Sequence, residues 1–406
     1  MSLSGGARRA LLALAIVGGT AAWLLAASRL WRTSVPADVA PPSIAAEDFF
    51  SPALLEEAQG FQRFVDVTDI LATVAMLAAV GVFAVVGARF TRESAAGRIG
   101  TGMLLGMLAL AFVWIAQLPF GLAQLWWVRR HDLTDITYPD WLLGYWITAG
   151  GEFLFISLAL LIVMAIAGAW PRRWWLAAPI VLAAVSLAFA FTQPYILPGL
   201  DEPRDPDLAG DIERLAADQG IAEPDVRVMD TYGAAESPNA IAVGIGPSER
   251  VILWDTLVGD FDRAETRVVV AHELAHLSRD HILELGAWTA LLSLPVALLV
   301  ALATRSRGGM REPAAVPVAV LVVAVVMVVT APLGGEFSQR HEAEADWIAL
   351  ESTEDPDAAE KLFVEFTRGA LLDPDPPWWS GAAIGTHPTI LDRLEMTAAW
   401  REHESH

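Results

Sequence analysis

The chain has 406 residues, of which 54% are hydrophobic and only 18% charged, a balance too apolar for an ordinary soluble domain and one that points to a membrane protein. Acidic residues outnumber basic ones, 48 against 27, and no basic block occurs, which argues against nucleic acid as a partner. With no cysteine, disulfides, thiol nucleophiles and Cys-type zinc clusters are excluded, so any metal must sit on histidines and carboxylates.

Near the N-terminus stand Arg8 and Arg9, then an apolar run over 10–27 that is followed by Arg29 and Arg32 rather than by a small-residue cleavage site. Its length suits a bilayer span, so it reads as an uncleaved anchor and not a signal peptide. Further runs long enough to cross roughly 30 Å of hydrocarbon lie at 69–88, 102–122, 148–169, 175–193, 285–303 and 314–333. The expected architecture is a mainly α, polytopic membrane protein with about seven transmembrane helices. It divides into a membrane region of five spans (1–199), a polar loop (200–284), two further spans (285–335) and a polar tail (336–406).

Basic residues alternate between the connections: Arg8 and Arg9; Arg89, Arg92 and Arg98; Arg172 and Arg173; Arg305, Arg307 and Arg311. Positive loops face the cytoplasm, which puts the polar loop and the tail outside. Trp126, Trp127, Trp141, Trp146, Trp170, Trp174 and Trp175 gather near span ends, where an indole anchors at the headgroups.

Inside the polar loop, Leu208, Ile212, Leu215 and Ala216 have helical spacing, predicting a helix from Asp207 to Gln219 that stops at Gly220. Short β-rich runs follow at Val226–Met229, Ala240–Ile245 and Val251–Trp254, separated by turn formers. A helix then begins near Arg263 and is expected to run through His272 towards the sixth span.

That helix carries His272-Glu273-Leu274-Ala275-His276, an H-E-x-x-H pattern. At 100° per residue the two histidines lie about 40° apart on one face, so both imidazoles can reach one ion. Glu273 beside them can take a proton from an attacking water and return it to a leaving amine. The competing reading is a chance pair of surface histidines, and a third ligand decides between them. On a continuous helix His281 falls about 180° from His272 and faces away, which leaves it a packing residue. The pattern H-E-x-x-H-x-x-G-x-x-H is also absent. After the seventh span comes Ser338-Gln339-Arg340-His341-Glu342-Ala343-Glu344-Ala345-Asp346. Glu342 is the natural third ligand, and Asp346, one turn on, can orient a ligating imidazole through its free N–H. On its own this segment would read as a solvated charged helix end.

These motifs resemble the CAAX prenyl protease type I metalloproteases, gluzincins that include HtpX-like membrane proteases. The resemblance runs from Phe49-Phe50 through Leu118-Pro119-Phe120 and Asp255-Thr256-Leu257 to the zinc helix and tail. It implies a small α+β gluzincin-like zinc-protease subdomain with one Zn2+ ion on His272, His276 and Glu342, and Glu273 as the base. It also implies that Asn239, in Pro238-Asn239-Ala240-Ile241-Ala242, holds substrate backbone beside an edge strand. His387, in Thr386-His387-Pro388, would donate to the developing oxyanion. Asn239 is the only asparagine in the chain. The family motif S-R-x-x-E-x-x-A-D has Gln339 in place of its arginine here, which leaves Arg340 as a substitute and His341 as a rival ligand. Arg130-His131-Asp132-Leu133-Thr134-Asp135 stands where the family carries a Gly-Phe-Asn-type motif.

The expected function is a membrane-embedded zinc endopeptidase acting on peptide or protein substrates in membrane-protein quality control. One alternative is a processing protease for a dedicated peptide or lipidated C-terminus; another is a non-enzymatic scaffold stapled by zinc. A single lysine and a single asparagine suit GC-rich coding and a bacterial cell membrane. The resemblance implies a cytoplasm-facing site, against the charge pattern. Oligomeric state is not readable from the sequence.

Overall fold

A computed structural model describes residues 5–93, 96–197, 199–230, 239–383, 385 and 387–405. Helix α1 (Gly5–Leu30) is followed by an extended strap, then by α2 (Pro52–Val86), α3 (Gly97–Arg130), α4 (Tyr138–Ala169) and α5 (Trp174–Ile196). Helices α2 and α4 start where the pattern Ser/Thr–Pro dictates. Ser51 accepts a hydrogen bond from Leu54 N and Thr137 one from Asp140 N, while a proline near each start supplies a helix-ready φ.

Among the described residues, six helices are long and apolar enough to cross a membrane: α2 to α5, then α9 (His281–Ala303) and α10 (Val316–Thr353). The predicted run at 10–27 lies within α1, whose early side chains fall outside the described residues. The membrane helices turn large apolar side chains outward: Leu154 is 75% exposed, Ile180 and Val329 are 73% exposed. In water such a surface would drive association, and in lipid it is at rest. Pro119, Pro179, Pro295 and Pro332 lie inside these helices, as bilayer-spanning helices tolerate. Trp174 departs from the interface expectation: it is buried among Met164, Ala167 and Met310, because it opens α5 against the bundle and not towards the headgroups.

The polar loop folds as predicted, with two added elements and one break. It comprises β1 (Leu200–Asp201), α6 (Pro206–Asp218), β2 (Val226–Met229), β3 (Ala240–Val243), β4 (Arg250–Trp254), α7 (Asp255–Asp260) and α8 (Arg263–Ser278). The two-residue β1 is too short to leave a sequence signal. The strand order is β1-β2-β4-β3, with β2 parallel to β4 and β3 antiparallel to it, so among the described residues β3 is an edge. One face of the sheet packs on α6 and α8 through Leu208, Ile212, Leu215, Leu253, Val270 and Leu274. Burying each such leucine contributes about 1.5–3 kcal/mol.

The break is at the end of α8. Asp280 adopts a left-handed conformation, φ 57°, and caps α9, so the zinc-motif helix does not continue into the sixth span. Short polar residues reach that conformation most readily after glycine.

Helix α10 has 38 residues, roughly 57 Å at 1.5 Å per residue, and therefore extends well beyond a hydrocarbon core of about 30 Å. Its far half packs with α11 (Pro356–Ala370) and α13 (Ile390–Glu404) around Trp347, Leu362, Phe363 and Leu394, while the short α12 (Trp378–Ala383) lies between those two helices in sequence. The strap joins this cluster through Val35, Val39, Ile44, Phe49 and Phe50.

Candidate metal centre

Helix α8 is held by a capping box, Asp262 with Glu265, and by the core face of Val268, Ala271 and Ala275. That packing turns its His272–His276 edge towards the far half of α10. Glu342, Glu344 and Asp346 are all buried there, 9% exposed or less. The solvated-helix reading of this segment is thereby excluded, since charged side chains are rarely so buried unless paired.

His272, His276 and Glu342 form a group whose ligand atoms all lie within 4.8 Å of one another. His272 Nε2 is 3.1 Å from His276 Nε2 and 3.3 Å from Glu342 Oε2, and His276 Nε2 is 3.5 Å from Glu342 Oε1. Bonds of 2.0–2.1 Å to a tetrahedral zinc require ligand atoms about 3.3–3.4 Å apart. The nearest donor atoms of the three side chains, taking one carboxylate oxygen towards each histidine, lie close to that spacing, and two imidazoles with a carboxylate are donors suited to zinc.

Asp346 Oδ1 accepts from His272 Nδ1 at 2.9 Å, leaving Nε2 to face the centre. Arg393 donates to both oxygens of Asp346, at 2.8 and 2.6 Å, and stacks over Phe363. Burial alone would lower the pKa of His272. The hydrogen bonds to Asp346 and Glu342 outweigh it and push the imidazole up to about 10. His276 is held down to about 3 by burial and by its charged neighbour His272. Two nitrogens only 3.1 Å apart cannot both carry a proton there, and a cation held by His272, His276 and Glu342 would take the place of a proton between them.

Glu273 is buried beside the triangle, and burial is the main cause that raises its carboxyl above the ordinary range, while His272 opposes the shift. The backbone N–H of Ala242 faces this carboxylate from edge strand β3. Just before that strand Asn239 O accepts from Trp254 N, so the backbone groups of Ala240 and Ala242 point away from β4, towards the cavity. Asn239 Oδ1 accepts from Ala240 N at 2.9 Å and so covers an outward donor of that strand. Pro238 and Thr386 lie outside the described residues. His387 Nδ1 donates to Glu342 Oε2 at 2.7 Å, with its side chain 63% exposed. His272, His276, Glu342, Glu273, Asn239 and His387 line one cavity of about 420 Å³, with apolar walls from Leu257, Val268, Leu362 and Phe366.

One side chain departs from the sequence reading, and two others stand clear of the centre. His281 does not face away: the corner at Asp280 turns its Nδ1 to within 2.9 Å of His276 Nδ1. The signal that could have shown this is the polar Ser278-Arg279-Asp280 between two apolar-patterned helices. His341 stands outside the triangle, bonded through Nε2 to Glu284 Oε2 at 3.1 Å. Arg340 does not reach the centre either; it reaches the strap, donating to Trp31 O at 2.6 Å and lying over the Trp31 ring.

Residues 202–401 match the model of Peptidase family M48. The chain is similar to the uncharacterized metalloprotease YhfN of Bacillus subtilis, with 27% identity over 291 residues, 65% of this chain and 66% of that protein. It is also similar to the CAAX prenyl protease 1 homolog of Dictyostelium discoideum, with 30% identity over 117 residues, 28% of this chain and 27% of that protein. These matches thus span just under two thirds and about a quarter of the relatives' lengths. The fold is that of S. mikatae Ste24p, with a TM-score of 0.71 and 17% identity over 93% of this chain and 96% of that one.

Proposed function

We propose, from the premise that this chain belongs to the CAAX prenyl protease and HtpX-related peptidases of family M48, that it is a membrane-embedded zinc metalloendopeptidase. The observation that carries the reading is the triangle of two imidazole nitrogens and a carboxylate at zinc spacing, with the buried Glu273 against it. His272, His276 and Glu342 would hold the ion. Zinc bound there supplies Lewis-acid polarisation of the scissile carbonyl and a water nucleophilic near neutral pH.

The rest of the chemistry falls to the chain. Glu273 accepts the proton of the attacking water and passes it to the leaving amine, and its burial raises its affinity for that proton. The outward backbone of Ala240 and Ala242 offers an edge for an extended peptide. Asn239 must release Ala240 N when that peptide arrives, and it then holds substrate backbone itself. For His387 to donate to the oxyanion from Nε2 while Nδ1 donates to Glu342, both ring nitrogens carry protons. Asp346 fixes the orientation of His272.

Unfolded segments of membrane proteins are the first substrate class, since an edge strand grips backbone irrespective of side chain. Processing of a lipidated C-terminus is the second, favoured by the similarity to a CAAX prenyl protease 1 homolog. The test is cleavage of casein and of a lipidated peptide by detergent-purified protein, with and without chelator, beside Glu273→Gln. We expect metal-dependent casein cleavage and a loss of about 10²–10⁴-fold in the variant. Cleavage of the lipidated peptide alone would select the second class. Neither substrate being cut, with zinc bound, would leave the scaffold reading.

A further inference from the structure

The two zinc-facing histidines are supported differently. His272 has a carboxylate directly behind it, Asp346. His276 has another imidazole: its Nδ1 lies 2.9 Å from Nδ1 of His281. Of two ring nitrogens in contact, one donates and the other accepts. Because Nε2 of His276 is the atom that faces His272 Nε2 and Glu342, its proton belongs on Nδ1 when a metal is bound. His281 Nδ1 is then the acceptor, and its own proton sits on Nε2.

That nitrogen is buried and has no hydrogen-bond partner at ordinary distance among the described residues, but it faces Glu344 Oε2 at 3.7 Å. Glu344 is itself tied on its other oxygen, accepting from Arg279 Nε at 2.8 Å and from Ser34 N of the strap at 3.0 Å. The His281 ring is fixed from its face by His341, stacked at 4.3 Å with 13° between planes and held in turn by Glu284. Helix α10 thus presents two carboxylates two residues apart, one to each histidine: Asp346 directly to His272, and Glu344 through His281 to His276.

We propose that His281, backed by Glu344, is the positioning residue of the second zinc histidine. By accepting His276 Nδ1–H it sets the tautomer and ring angle that aim the Nε2 lone pair at the ion. This inference rests on the metal centre proposed above. It also assigns a purpose to the left-handed corner at Asp280, without which His281 could not turn back onto His276.

Two substitutions separate this role from ring packing. His281→Phe keeps a flat ring against His341 and removes the acceptor. His281→Asn loses the ring and keeps an oxygen at the reach of Nδ1. Zinc affinity is measured on the full chain in detergent by competition with a chromogenic chelator, with the Co2+ absorption spectrum as a second readout of ligand geometry. We expect zinc affinity to fall about 10–100-fold in His281→Phe, the range for lost outer-shell partners, and to stay within a few-fold of wild type in His281→Asn. Equal zinc affinity in His281→Phe and wild type, or a loss in His281→Asn as large as in His281→Phe, overturns the inference. If His281→Phe does not fold, the His281→Asn result decides: wild-type affinity with an unchanged Co2+ spectrum supports the acceptor role, and a weakened site contradicts it. A wild-type chain that binds no zinc overturns the metal centre itself, and this inference with it.

Discussion

Helix α10 obeys opposite rules in its two halves. Towards its start, Met327 and Val329 present 67% and 73% of their surface to the outside, while beyond the bilayer Glu344 and Asp346 are 3% and 4% exposed. Apolar side chains outward and carboxylates inward is an inversion of the ordinary soluble pattern at both ends, and the two inversions have different causes. In the first half the surrounding lipid is as apolar as valine, so burial gains nothing. In the second half each carboxylate is buried because it has partners: Glu344 has Arg279 and Ser34 N, and Asp346 has Arg393 and His272. One half is held by its solvent, the other by specific contacts, so substitutions in the two should fail in different ways.

The largest effect is expected in the second half. Glu342→Ala removes the one carboxylate of the triangle and should abolish metal-dependent cleavage while leaving membrane insertion unchanged, as read by extraction of the full-length chain from membranes. Next comes Asp346→Asn, which keeps shape but weakens the bond that orients His272 and leaves Arg393 short of charge. Zinc affinity should fall about 10–100-fold, read by chelator competition. An unaffected Asp346→Asn would mean that the buried carboxylate is structural only. In the first half, Val329→Asp should cost up to roughly 3 kcal/mol of insertion, seen as reduced membrane yield, with normal cleavage per inserted molecule. Val329→Ala should change neither insertion nor cleavage measurably. If Val329→Asp instead impaired cleavage and spared insertion, residue 329 would not face lipid and the division of α10 would be misplaced.

The same division explains what could be read in the sequence. The lipid-facing half of α10 is a run of Val, Ala, Leu and Met, and composition alone reveals such a segment; the other spans were legible for the same reason. The strands at 226–229 and 251–254 were legible from β-branched runs between turn formers. His272 and His276 were picked out by spacing, because they share a face only when helical, whereas Asn239 and His387 came only from the resemblance to a family. His281 was misread because a helix was extended through it, and a single left-handed residue at Asp280 reverses where that ring points. Glu344, the strap's bond to it and the stack of His341 on His281 were not legible at all. They depend on contacts across 60 or more residues of sequence, which no local period encodes.

The measurement that bears most directly on the metal centre is zinc content per chain in protein purified in detergent, determined for wild type, Glu273→Gln and Glu342→Ala after dialysis against a mild chelator. Near one zinc per chain in wild type and Glu273→Gln, and near none in Glu342→Ala, is the result expected from a base that does not ligate and a carboxylate that does. A full zinc in Glu342→Ala, or its loss in Glu273→Gln, would contradict the assignment of His272, His276 and Glu342 as the ligands.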